Sequence, residues 1–410
     1  MKRWWVVALL GATVFLYWMG MYLYVPTLPT YARTKTESLT LVGVMVSMYG
    51  LWQAVIRLPL GISADALGWR KPFILVGLLL AGLGAWIMGT GAGIHELIVG
   101  RAITGLAAGA WVPLAVAFSS QFPPDQAVRA SALLSFISSA GRMLATSLTG
   151  LLNQWGGYAL AFYASVGVEA VAVVALLPAR EARLAPQRPA WSPIGRLIVR
   201  RDVLLPSLLG AVCQYVNWAT TFGFLPILVK QLGASDMVQS ALASMNIGLG
   251  IACGLLVSGI IRRVSARLLV YVSFGLLTAG VVGLALAPSL AVAVETLAQQ
   301  LGQLGLVNPD WNDQLVVVYL AQVFIGLGQG ISYPVLMGLS IQNVPSQQRS
   351  TAMGVYQAVY AVGMFGGPSL GGWLSDNLGI PSMLWITGLV CLVSGLFLTR
   401  LLQDAQRPPV

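Results

Sequence analysis

Four ionisable side chains stand inside long apolar stretches of this chain: Arg57, Arg101, Arg142 and Glu169. At the centre of a bilayer a charge costs about 2.5–3.5 kcal/mol on insertion scales, so each of them needs a reason. Arginine offers a permanent charge and a planar fork of N–H donors that suits an oxyanion. A buried glutamate offers a site that takes up and releases a proton. Arg142 and Glu169 fall at similar depths on neighbouring apolar stretches, given about 1.5 Å of helix per residue. They form either a structural ion pair or a titrating carboxylate that governs access to the arginine. Arg57 facing a central path favours an anionic or zwitterionic solute; pairing with Asp65 or with lipid headgroups is the alternative. For Arg101 the available partner is Glu96, one turn earlier.

Other chemistries lack their residues. The single histidine, His95, falls in a polar connection, and Cys213, Cys253 and Cys391 all lie within apolar runs. That leaves no disulfide framework and no metal site. Gly82-Leu-Gly84 and Gly326-Leu-Gly328 follow no strand, so neither is a nucleotide loop. No enzyme activity, metal or cofactor is expected.

The elements that hold these charges follow from composition. The chain has 410 residues, 57% hydrophobic and only 9% charged, against about 25% charged in soluble proteins. Lipid offers the backbone no partners, so every crossing segment must be helical. Apolar runs of roughly 20 residues appear at about 4–29, 39–64, 72–93, 96–121, 130–153, 158–178, 203–229, 237–261, 268–288, 315–342, 351–374 and 382–402. The apolar stretch at the start runs on without a cleavage site and is expected to be a retained first span. Lysine and arginine concentrate in the connections on one side, and only Arg33, Lys35 and Lys230 fall on the other. By the positive-inside bias both termini are cytoplasmic, and the net charge of +10 needs no nucleic acid to explain it. Trp4, Trp5, Trp155, Trp311 and Trp373 suit interfacial anchoring.

An arginine- and proline-rich inner connection, 179–202, divides residues 1–178 from 203–410. The outer segment 288–314 reads as an amphipathic helix on the membrane surface. The halves echo each other. Gly105-Leu-Ala-Ala-Gly109-Ala-Trp-Val-Pro113 matches Gly326-Leu-Gly-Gln-Gly330-Ile-Ser-Tyr-Pro334, and Tyr22-Leu-Tyr24-Val-Pro26 matches Phe222-Gly-Phe224-Leu-Pro226. Two parallel six-helix bundles around a midplane site are the architecture of a rocking transporter.

One compact polar stretch interrupts the apolar text: Gly61-Ile-Ser-Ala-Asp65-Ala-Leu-Gly68-Trp-Arg70-Lys71. It resembles motif A of the major facilitator superfamily, and Arg101-Ala-Ile-Thr-Gly105 resembles that superfamily's R-x-x-x-G motif on the fourth helix. The resemblance implies the all-α fold of twelve transmembrane helices in two six-helix bundles. It also implies a role for Arg101 in proton movement, and makes Tyr22, Tyr24, Asn217, Trp218, Asn246, Gln329, Tyr333, Tyr356 and Gln357 candidate substrate contacts, since they fall on cavity-lining spans. Gly61, Asp65, Gly68, Arg70, Lys71 and Asp125 become the gating group, with Asp65 facing Ser350 and Thr351 and Arg70 reaching Asp125. The departures are specific. Drug exporters carry G-P-x-x-G-G on the fifth helix, whereas here Gly367-Pro368-Ser-Leu-Gly371-Gly372 lies on the eleventh. The first span lacks the carboxylate of some proton-driven exporters. Arg57-Leu-Pro59 is similar to the arginine site of nitrate carriers, but the eighth span has no second arginine.

The expected protein is a monomeric secondary transporter of the plasma (inner) membrane, moving a small organic solute by alternating access with proton-coupled efflux. An organic-anion carrier, or a receptor or lipid-handling protein on the same fold, is the alternative.

Overall fold

The computed structural model describes residues 3–179, 192–260, 264–290, 313–345 and 348–402. The arginine-rich part of the connection at 180–191, the surface helix expected over 288–314 beyond residue 290, the counterpart loop at 262–263 and Trp311 lie outside the described residues. So do the side chains of Asp65 and Ser350.

Among the described residues the chain is helical, with no strand. The first half comprises α1 (Arg3–Tyr22), α2 (Leu28–Arg33), α3 (Leu39–Leu67), α4 (Lys71–Thr90), α5 (Ile94–Ala107), α6 (Trp111–Ser119) and α7 (Ala127–Leu176). A short amphipathic α8 (Ser192–Val199) leads into α9 (Arg201–Ala219), α10 (Leu225–Gln231), α11 (Asp236–Ile260), α12 (Ala266–Ala285), α13 (Asp313–Gln342), α14 (Arg349–Leu378) and α15 (Ile380–Arg400).

Among the described residues, ten helical stretches are long and apolar enough to cross a membrane. Twelve were expected from the sequence, and the difference arises at two places. α7 carries two expected spans, broken only at Gly156 and Gly157, where Gly157 takes φ 68°; an L side chain there would be strained. Its two arms run antiparallel along α1. Gly141 lies against Phe15, and Asn153 bonds Thr27; then Phe162 stacks on Tyr24 and Ser165 bonds Gly20. α14, the other difference, is rich in glycine and serine and falls short in apolarity alone.

The internal repeat is visible as local irregularity. Proline cannot donate to the preceding turn, and before Pro26 and Pro226 the helix is disturbed in both halves. The chain forms a 3-10 turn at Val25–Thr27 and a π turn at Thr220–Phe224.

Packing is inside-out relative to a soluble protein. Val76, Leu79, Leu83 and Trp86 on α4 are exposed, at the spacing of one helix face. Trp4, Trp5, Trp155 and Trp373 are exposed as well. The first-half helices pack on one another, as do those of the second half, and the sets join chiefly where α3 meets α14 and α7 meets α11, with smaller contacts such as α2 on α10. The first crossing is backbone on backbone. A Cβ at Gly43 would overlap the Pro368 carbonyl oxygen and reach Gly372, while one at Gly50 would meet Met364.

Candidate functional site

Between the two helix sets lies a cavity of about 510 Å³. Its walls come from α1, α3, α6 and α7 on one side and α9, α11, α13 and α14 on the other. Aromatic rings dominate, with Trp18, Tyr22, Trp111, Trp218 and Phe222 among them. Arg57 and Arg142 supply its charge, and no Asp or Glu is among the lining residues.

Arg57 is buried and ties the halves together. Its Nη1 donates to the Tyr360 hydroxyl at 2.7 Å and to Gln357 Oε1 at 3.2 Å, with the guanidinium over the Tyr360 ring. Both partners lie on α14, across the cavity from α3. Arg142 donates to Ser139 Oγ at 2.9 Å and to the Ser138 carbonyl oxygen, and its charge lies over Trp18 and Tyr22. Arg101 is buried behind the cavity, 4.4 Å from the Tyr49 ring centroid and 5.7 Å from that of Trp218, which stack on each other.

No ion pair joins Arg142 to Glu169. Glu169 is buried, and neither carboxylate oxygen has a hydrogen-bond partner. The expected depth is right and the face is wrong. Arg142 meets α1 at Trp18 and Tyr22, one turn apart, whereas Glu169 meets it at Gly20. Two residues along a helix is about 200° around it. Nor does Glu96 serve Arg101: its carboxylate accepts from the Gly93 N–H at the start of α5, and His95 beside it is exposed.

Of the uncharged candidates, Tyr22, Asn217, Trp218, Asn246, Gln329, Tyr333 and Gln357 line the cavity. Tyr24 and Tyr356 do not. Tyr24 stacks on Phe162 inside the first half, and Tyr356 packs against Gly210 inside the second. Gln53, Tyr49 and Tyr360 line it unpredicted. Tyr49, Gln53 and Arg57 recur every four residues, which places them on one face of α3; that spacing was available in the sequence.

One end of the cavity is sealed. Asp376, from the last turn of α14, accepts from Ser38 Oγ at 2.8 Å and from the Leu39 and Thr40 N–H groups at 2.7 Å, capping α3. Burial pushes its carboxyl up, but the bonds from Thr40, Ser38 and Leu39 outweigh that and hold it below its ordinary value. Asn153 bridges Thr27 and Asp236, Lys230 also bonds Asp236, and Thr30 bonds Gln239. From this seal the lining runs the other way, to Ala132 and Leu255.

The family model of the Major Facilitator Superfamily matches residues 10–298 and 297–410. This chain belongs to that superfamily. It is 25% identical over 378 residues to the inner membrane transport protein YajR of Escherichia coli, a match covering 89% of this chain and 76% of YajR. To the quinolone resistance protein NorA of Staphylococcus aureus it is 27% identical over 142 residues, 34% of this chain and 36% of NorA. Among solved structures, a POT family transporter superposes with a TM-score of 0.78 at 13% identity over 95% of this chain and 94% of that one. A bacterial homolog of the human lysosomal transporter Spinster, in an inward-facing unoccupied conformation, gives 0.73 at 14% identity over 98% and 97%. The chain is thus a multi-pass membrane transporter of this superfamily.

The superfamily's charged motif is mostly helix here. α3 continues through Gly61 and Asp65 to Leu67 and stops at Gly68, which takes φ 62°, the left-handed residue that commonly ends a helix. The turn itself is only Gly68 to Arg70. Lys71 Nζ then donates to the Leu177 and Ala179 carbonyl oxygens, capping the far end of α7. Arg70 is buried and Asp125 exposed. The displaced Gly-Pro motif is a seam on two sides. Gly367 lies against the Tyr215 backbone, and Gly372 against Leu39 and Gly43.

Proposed function

We propose that this chain moves a small organic solute across the inner membrane by alternating access, as a monomer, with proton-coupled export. The observation that carries the proposal is the central cavity: it lies between two helix sets, sealed at one end and extending toward the other. Twelve crossings, counted by dividing α7 at Gly157 and adding α14, put both termini on one side. The lysine and arginine distribution makes that side cytoplasmic, so the cavity faces inward and the Asp376 seal faces out. Residues 1–178 and 203–410 form the rocking units, joined by 179–202. Export is supported by the likeness to the quinolone resistance protein NorA. No catalytic step is assigned to any residue.

Glu169 is the proton site in this reading. Its carboxylate lies against Gly20 of α1 without a hydrogen bond, so a proton taken up or lost there acts where α7 packs on α1. Solute flux in proteoliposomes under an imposed pH gradient, wild type against Glu169→Gln, tests it. Gradient-driven flux in the wild type and gradient-independent flux in the variant are expected. Flux that ignores the gradient in both removes proton coupling, and no flux of any solute turns the reading to a receptor.

A further inference from the structure

We infer that the solute this cavity takes is an organic oxyanion with an aromatic or comparably apolar body. This rests on the transport reading above only for its movement, because binding follows from the cavity itself. Arg57 and Arg142 are the only charged residues among those lining it. Every partner either arginine has within it is neutral. Arg57 meets a tyrosine hydroxyl and a glutamine oxygen; Arg142 meets a serine hydroxyl and a backbone carbonyl. Two positive charges therefore share a low-dielectric space with no countercharge among the described residues, an arrangement that costs solvation until an anion enters.

Buried polar atoms of both kinds are unpaired on lining residues: the acceptors Gln53 Oε1 and Asn217 Oδ1, and two donors. Arg57 Nε and Asn246 Nδ2 are buried without any hydrogen-bond partner, on residues 5% exposed in each case. Such orphans are rare, since buried polar groups are paired in native structures. An oxyanion accepts from both kinds of donor; an ammonium group accepts from neither and is repelled by both arginines.

The apolar part of the ligand follows from the walls. Trp18 and Trp111 meet edge to face at 5.1 Å, and Trp218 and Phe222 face them from α9 and the π turn after it. A volume of about 510 Å³ lies within the usual range for small-molecule sites. It holds a fused-ring body with its charged group on the arginines.

The test is calorimetric titration of the full chain in lipid nanodiscs with three probes of one shape: 2-naphthoate, neutral 2-naphthamide and cationic 2-naphthylmethylammonium. Naphthoate is expected to bind at least about ten-fold more tightly than the amide, and the ammonium not measurably. Arg142→Gln is expected to weaken naphthoate about ten- to a hundred-fold, the range for a hydrogen bond to a charged group. The amide's affinity stays unchanged, which also reports that the variant is folded, and Arg142→Lys recovers most of the loss. Ammonium binding as tight as naphthoate, no naphthoate binding, or an equal loss of amide and naphthoate in Arg142→Gln would each overturn the inference. Flux of the same probes separates the two readings. Naphthoate bound but not carried keeps the anion site and removes transport; ammonium carried and naphthoate not keeps transport and removes the anion site.

Discussion

Asp376 caps a helix it does not belong to: its carboxylate accepts the Thr40 N–H at 2.7 Å across 336 residues of chain. The first turn of a helix has unsatisfied N–H groups and a partial positive charge. α3 has these satisfied by the opposite half of the molecule, so the cap exists only while this end is closed.

Removing it should therefore shift a conformational balance. Replacing a capping residue by alanine costs about 0.5–2 kcal/mol. Asp376→Ala should raise the fraction open at this end by a few-fold to about thirty-fold. Spin labels on Glu37→Cys and Asn377→Cys, both exposed positions, read this as a longer distance population. An unchanged distribution would show that the cap carries no share of the seal.

Acid should act on the same bond. Because the closed end lowers the Asp376 pKa, its contribution is complete above the ordinary carboxylate value near 4. It is lost as pH falls through the lower value of the closed state. The label distances should lengthen in that acidic window in the wild type and stay flat across it in Asp376→Asn.

A methyl group at the α3–α14 crossing should be harder to absorb than one elsewhere. At Gly43 it meets the Pro368 backbone, which has no rotamer to change, whereas at Gly167 nothing lies within 4 Å. Overpacking costs about 1–3 kcal/mol. Gly43→Ala should weaken the seal, whereas Gly167→Ala should leave the label distances as in the wild type and, since alanine is the better helix former by about 0.5–1 kcal/mol, should not lower the melting temperature.

The Arg57–Tyr360 bond should contribute to holding the halves together. Tyr360→Phe leaves the ring over the guanidinium and deletes one charge-assisted bond, worth about 1.5–3 kcal/mol. A lower melting temperature by scanning fluorimetry is the expected result.

Glu169 should show the opposite sign. An unsatisfied buried polar group costs about 1–3 kcal/mol, so Glu169→Leu should raise the melting temperature while abolishing any dependence of flux on the proton gradient. That trade is the mark of a group kept for function.

Much of this was legible in the residues. The positions of the helices, the repeat and the depth of the charges come directly from apolar run length and charge placement, as Arg142 and Glu169 demonstrate. Rotation about the helix axis does not, because lipid-facing and cavity-facing residues on one span are both apolar. Hence Tyr22 and Tyr24 were grouped although they face different ways. Tyr49, Gln53 and Arg57 escaped grouping although their spacing joins them. Asp376 stayed hidden for another reason: two of its three partners, at Leu39 and Thr40, are backbone N–H groups of a distant helix, and backbone donors leave no trace in residue type. A latch was instead expected at Asp65, at the other end of the fold, where the side chain lies outside the described residues.

The bare crossing at Gly43, Pro368 and Gly372 carries one more consequence. Dispersion between touching atoms loses a quarter to a half of its strength within a gap of about 0.5–1 Å. Long side chains would bridge such a gap and stretch with it, but two backbones have nothing to extend. The seam is thus held or released over very little travel, and this end behaves as a switch rather than a valve. A labelled population should divide into two distinct groups whose proportions change, instead of one group that drifts.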